Sequence, residues 1–141
     1  MANKIDNLNI INSMNVENMN EKRRPLVGCG FSQAVSRFFS KYAQFAGGAS
    51  RSEFWWAYLF YAIVTIIFSI LAGYNPDLSF LIIIWEIGTI VPQLSLTCRR
   101  LHDAGFSGLF LLLELLVIGE IVLLIMCMLP SRPERWRNEW Y

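Results

Sequence analysis

The stretch that decides the fold opens with Ser50-Arg51-Ser52-Glu53-Phe54-Trp55-Trp56. It continues as an apolar run to Gly73, turns, and closes a second run on Arg99-Arg100-Leu101-His102-Asp103. Working outward from it, Phe54 to Gly73, Ser79 to Cys98 and Phe106 to Leu129 hold only three ionisable side chains besides Cys and Tyr: Glu86, Glu114 and Glu120. Each run approaches or exceeds the roughly 20 residues that carry a helix across about 30 Å of hydrocarbon. The sequence is 55% hydrophobic and 16% charged, so three such runs buried in a soluble core would leave too little polar surface to cover them. The expected fold is an all-α polytopic membrane protein. Its membrane domain covers 50–130, with transmembrane helices at about 51–73, 79–103 and 107–129.

The flanking segments differ in kind. Residues 1–28 begin with an Asn-rich stretch that lacks the apolar core of a secretory signal, and read as a disordered cytoplasmic tail ending in the basic Lys22-Arg23-Arg24. Residues 29–46 read as an interfacial amphipathic helix. Phe31, Ala34, Val35, Phe38, Tyr42 and Phe45 share one face, with Ser32, Gln33, Ser36, Arg37, Ser40, Lys41 and Gln44 opposite. The aromatic face suits the lipid interface or the helix bundle equally well. Ser50 and Glu53 have capping-box spacing, and Trp55, Trp56 and Tyr58 follow where aromatic rings favour the headgroup boundary. Residues 131–141 form a short polar tail.

Glu86, Thr89, Gln93, Thr97 and Arg100 are spaced three or four apart and share one helical stripe. A carboxylate at the depth of Glu86 costs about 2.5 to 3.5 kcal/mol on insertion scales, so it is expected to be paired, protonated or facing water. Glu86, Thr89, Gln93, Glu114 and Glu120 are thus the candidate intramembrane polar residues. They serve either interhelical hydrogen bonding or a path for protons or a small solute. Pro92 should kink the second helix.

Arg99, Arg100 and His102 are the densest cationic group near a membrane end, which places that end, and the N-terminus with it, in the cytoplasm. A single third crossing would put Arg132, Arg135 and Arg137 outside, against this tendency. A segment turning back near Gly119-Glu120 would return them, but 109–129 has the length of one crossing. The single crossing is the expectation.

Two motifs carry a family resemblance. Residues 45–56, Phe-Ala-Gly-Gly-Ala-Ser-Arg-Ser-Glu-Phe-Trp-Trp, and residues 94–105, Leu-Ser-Leu-Thr-Cys-Arg-Arg-Leu-His-Asp-Ala-Gly, stand at the ends of two helices in the right order. On these, the chain resembles domain-of-unknown-function family 805, small bacterial inner-membrane proteins, over roughly 31–130. The resemblance implies a multi-pass protein of the bacterial plasma membrane and brings no established activity. Gly48, Phe106 and Leu109-Phe110 depart from the family's usual Arg, polar residue and Trp pair.

Catalytic signals are sparse. His102-Asp103 has no second histidine with which to build a metal site, and Cys29, Cys98 and Cys127 lack metal-ligand spacing. A net charge of +1 without a basic stripe disfavours nucleic acid. The expectation is therefore a non-enzymatic scaffold or accessory subunit without cofactor. Its charged cytoplasmic rim of Arg51, Glu53, Arg99, Arg100, His102 and Asp103 would meet lipid headgroups, a second copy or another membrane protein. Within that rim Glu53 or Asp103 should pair with Arg51, Arg99 or Arg100. The alternative is a small transporter or channel component using Glu86, Gln93 and Glu114.

Overall fold

The computed structural model describes residues 2–115 and 117–132. Among them every regular element is helical: α1 (Ala2–Arg23), α2 (Phe31–Ser40), α3 (Arg51–Tyr74), α4 (Ser79–Asp103) and α5 (Val117–Met128), with 3-10 turns at Pro76–Leu78 and Gly108–Leu115. The expectations for the side chains of Glu114 and Glu120, and for 133–141, lie outside the described residues.

α3 and α4 form an antiparallel hairpin, and both are long and apolar enough to cross a bilayer. Ser50 starts α3 by accepting from the Glu53 amide at 3.2 Å, while its own hydroxyl donates to the Leu26 carbonyl at 2.5 Å. Only this half of the expected capping box forms, because the Glu53 carboxylate is engaged elsewhere. At the opposite end the Asn75 side chain accepts from the Asp77 amide at 3.0 Å, and Pro76 takes the first position of the turn. Leu59, Ile63, Ile66, Ile70, Ile83, Ile87 and Ile90 point outward along the hairpin, as lipid-facing side chains should. The tightly packed part is the basic end. There Cys29, Ala34, Phe38, Ala49, Phe54, Ala57, Leu96 and Cys127 make one apolar cluster.

Among the described residues only α3 and α4 are long and apolar enough to cross a membrane, so the expected third crossing is not among the candidate spans. The segment after Asp103 runs through Gly108–Leu115 in 3-10 geometry and restarts as α5, whose 12 residues span about 18 Å against the roughly 30 Å needed. It then comes back to where it began, with the Arg132 amide donating to the Asp103 carbonyl at 2.9 Å. Gly119 permits the reversal: a Cβ there would run into the Leu113 carbonyl, an approach only glycine allows. Leu123 and Met126 of α5 pack with Leu101 of α4 in a second cluster, joined by Phe106, Leu111 and Leu113. Among the described residues the structure thus has two candidate membrane spans and a third segment whose two ends meet, which brings Arg132 to the basic end.

Two N-terminal expectations also change. The tail expected to be disordered is helical from Ala2 to Arg23, a stretch free of Gly and Pro, and ends two residues ahead of Pro25. The amphipathic segment is helical only over 31–40, and it packs on the bundle: Ala34 and Phe38 are buried, and Phe31 meets Trp56 edge-on at 5.9 Å. Its lower turn straps onto α4, where Ser95 Oγ lies 3.1 and 2.8 Å from the carbonyls of Lys41 and Gln44.

Pro92 lies buried inside α4, which stays helical through it. Having no N–H, it leaves the Gly88 carbonyl without its intrahelical donor. The Tyr42 hydroxyl, arriving from the strap, donates to that carbonyl at 2.8 Å.

Candidate functional site

The expected charged rim is mostly inside the protein. Glu53, Arg99, Arg100 and Asp103 have no exposed surface and His102 has little, whereas Arg51 alone stays at the surface. α3 delivers Glu53 from its first turn, and the last turn and a half of α4 delivers the other four. Glu53 Oε1 accepts from Arg99 Nη1 at 2.9 Å, and Glu53 Oε2 stands 3.0 Å from Arg37 Nε. The expected pairing of Glu53 or Asp103 with an arginine therefore forms twice, since Asp103 also pairs with Arg100 one turn back along α4.

Arg100 is the hub. Its Nε donates to the Cys127 carbonyl at 2.9 Å, its Nη2 to the Leu129 carbonyl, and its Nη1 to Asp103 and, at 3.4 Å, to the Ala49 carbonyl. Cys127 and Leu129 are at the C-terminal end of α5, where carbonyls lack intrahelical donors and a cation complements the helix dipole. Ser131 adds a hydroxyl to Asp103. One guanidinium thus ties α4, the loop before α3 and the returning end of α5 together.

That loop is shaped for the task. Gly47 has φ +99°, and a Cβ on it would sit 2.5 Å from the Arg23 carbonyl. The Gly48 amide donates to that same carbonyl at 2.9 Å, and the Ala49 amide donates to the Arg99 carbonyl at 3.0 Å. Gly48, where the family usually has arginine, thus anchors the end of α1.

His102 and Asp103, adjacent in sequence, go to different neighbours. His102 Nε2 lies 3.7 Å from Cys98 Sγ, and both press on Gly108, where a Cβ would come within 2.8 Å of the sulfur. Among the described residues no group of three or more His, Cys, Asp or Glu side chains is arranged to hold a metal ion.

Sequence reasoning missed Arg37 and Lys41 as parts of this assembly. Arg37 sits on the polar face of α2 and Lys41 just past its end, and that face, turned against α3 and α4 instead of water, was the available signal. Burial pulls the Lys41 ammonium down from 10.5 to about 8, helped by the nearby Arg37 and Arg99 guanidinium groups and opposed by Glu53. Burial likewise pushes the Cys29 thiol up, aided by Glu53 and opposed by Arg37.

The second candidate set is half assembled. Glu86 reaches across to α3, accepting from Tyr61 Oη at 2.6 Å, with Thr65 Oγ1 at 3.5 Å; neither partner was anticipated. Glu86, Thr89 and Gln93 line one groove with Tyr61. Thr89 and Thr97 do not bridge helices as expected. Their hydroxyls donate to carbonyls four residues back on α4, those of Trp85 at 2.7 Å and Gln93 at 3.0 Å.

Taken together, an outward-facing apolar hairpin and a head locked by internal ion pairs define a small helical membrane protein. The chain belongs to the family described as "Protein of unknown function (DUF805)", which matches residues 42–139. It is similar to "Inner membrane protein YhaI" of Escherichia coli strain K12, at 37% identity over 86 residues that cover 60% of this chain and 73% of the relative. The protein of the same name from E. coli O157:H7 gives the same figures. No solved structure matches the chain.

Proposed function

We propose that this chain is a non-enzymatic accessory or scaffold subunit of the bacterial inner membrane, crossing it twice with α1 and Arg132 on the cytoplasmic side. One observation carries the reading: at the basic end Arg99 pairs with Glu53 and Arg100 with Asp103 in a fully buried knot, which the half-buried Arg37 joins at Glu53. Such a knot devotes its chemistry to holding helices in register, which is what a docking body needs. Buried ion pairs add little net stability but penalise any arrangement that leaves a charge unmatched. What supports that orientation is the set Arg24, Arg37, Lys41, Arg51, Arg99, Arg100 and Arg132 at one end, while the loop between α3 and α4 carries only Asp77 among its charged residues.

The surface offered to a partner or to anionic headgroups is the exposed part of that end, Arg51 with the rings of Phe31, Trp55 and Trp56. Native mass spectrometry of the full chain, released from nanodiscs of native lipid, tests this. A bound second protein, a second copy or a defined complement of anionic lipid is expected. A bare monomer at every detergent-activation energy would refute it.

A second reading, a small transport component, draws on the groove at Glu86. Proteoliposome flux abolished by Glu86→Gln would favour it over the docking role.

A further inference from the structure

We propose that the groove at Glu86 is a binding site for a primary ammonium ion carried on an apolar body. This concerns binding alone and goes beyond both readings above. The groove, open along its outward-facing Ile87 and Ile90 side, has a volume of about 460 Å³ and is lined by Tyr61, Glu86, Ile87, Thr89, Ile90 and Gln93, within the size range of small-molecule sites.

The placement of protons sets the chemistry. Tyr61 donates its hydroxyl proton to Glu86 Oε2 at 2.6 Å, and Thr89 gives its own to the Trp85 carbonyl at 2.7 Å. Thr65 accepts the Trp85 indole N–H at 3.0 Å and lies 3.5 Å from Glu86 Oε1. Gln93 Oε1 is buried and has no hydrogen-bond partner. The groove therefore presents acceptor oxygens in the Glu86 carboxylate and the lone pairs of the Tyr61 hydroxyl, while Gln93 Oε1 lies buried behind its wall.

The charge is unmatched as well. Among the described residues no Arg, Lys or His stands within ion-pair distance of Glu86, because the ion pairs all lie at the basic end. A carboxylate at this depth calls for a counter-charge. A primary ammonium supplies one positive charge and three N–H donors, matching the two carboxylate oxygens and the Tyr61 hydroxyl oxygen. The Ile87 and Ile90 walls suit an alkyl body. A hard divalent cation would need six or more oxygens or retained water, which this lining does not provide.

The test uses the full chain in phosphatidylcholine nanodiscs, titrated calorimetrically with octylammonium and with octyltrimethylammonium. The two probes share charge and tail, but the second has no N–H to donate. Saturable binding of octylammonium is expected, about tenfold or more tighter than that of the quaternary ion. Glu86→Gln should lose at least about tenfold, and Tyr61→Phe, which keeps the carboxylate, several-fold. Displacement by added phosphatidylethanolamine would assign the ammonium to a lipid, and its failure to a free amine. Equal affinity for the two probes in the wild-type chain, or octylammonium uptake that never saturates, would overturn the proposal without recourse to any variant.

Discussion

Tyr42→Phe should destabilise the protein by an amount set by a proline fifty residues away. The Gly88 carbonyl has lost its helical donor to Pro92 and receives the Tyr42 hydroxyl instead, at 2.8 Å. Removing that hydroxyl deletes one hydrogen bond, worth about 1 kcal/mol, and leaves the carbonyl short of a donor, which raises the expected loss to about 1–3 kcal/mol. Pro92→Ala restores an N–H at the position from which α4 can satisfy Gly88 itself. It carries its own packing cost, because Pro92 is fully buried. That cost cancels in a double-mutant cycle, which isolates the coupling between hydroxyl and imino acid. In the Pro92→Ala background Tyr42→Phe should therefore cost little, giving a coupling energy of about 1 kcal/mol or more. Reversible unfolding in mixed micelles, followed by far-ultraviolet circular dichroism on the four proteins, measures it. Additivity within about 0.3 kcal/mol would mean that the Tyr42 bond does not replace the missing helical one.

Other consequences are equally direct. Glu53→Gln should cost about 3–5 kcal/mol in the same unfolding assay, since it leaves Arg99 buried and the half-buried Arg37 beside it without their counter-charge, while Glu53→Leu combined with Arg99→Met should recover much of the loss. Lys41 titrates near 8 when folded against 10.5 when unfolded, so between those values the unfolded chain binds more protons and stability should rise with pH; reductive methylation of the native protein should show one lysine with a midpoint near 8. Cysteines introduced in place of Val27 and Ser131 in a chain with its native cysteines replaced should label from the same side of the membrane, and one in place of Asp77 from the other. Labelling of positions 27 and 131 from opposite sides would restore the single third crossing.

What could be read in advance was local. The Ser50 cap, the two long apolar runs and the cationic turn depend on residues within a few positions of one another, and each stands where the spacing puts it. The pairing of Glu53 with Arg99 was legible in kind, because carboxylates and guanidinium groups at the same end of two adjacent helices must find each other. Arg37 was not. Its place opposite an aromatic stripe looks the same whether that face meets water or a buried carboxylate. The third segment misled for a physical reason: 109–129 has the length of one crossing, and its reversal hangs on Gly119, whose missing Cβ permits a contact that no periodicity reports. The Tyr42 bond was hidden for the opposite reason, as the sequence displays the vacancy at Pro92 but not the distant side chain that fills it.

The way Arg100 gathers carbonyls from Ala49, Cys127 and Leu129 has a bearing on biosynthesis. During synthesis α4 is committed while two of those three acceptors have yet to leave the ribosome. Until Leu129 emerges the guanidinium stands incompletely matched, and a nascent chain halted before Cys127 carries a cation at its core that those carbonyls have not yet met. The last turn of α5 is in this sense a keystone, set after the arch is raised.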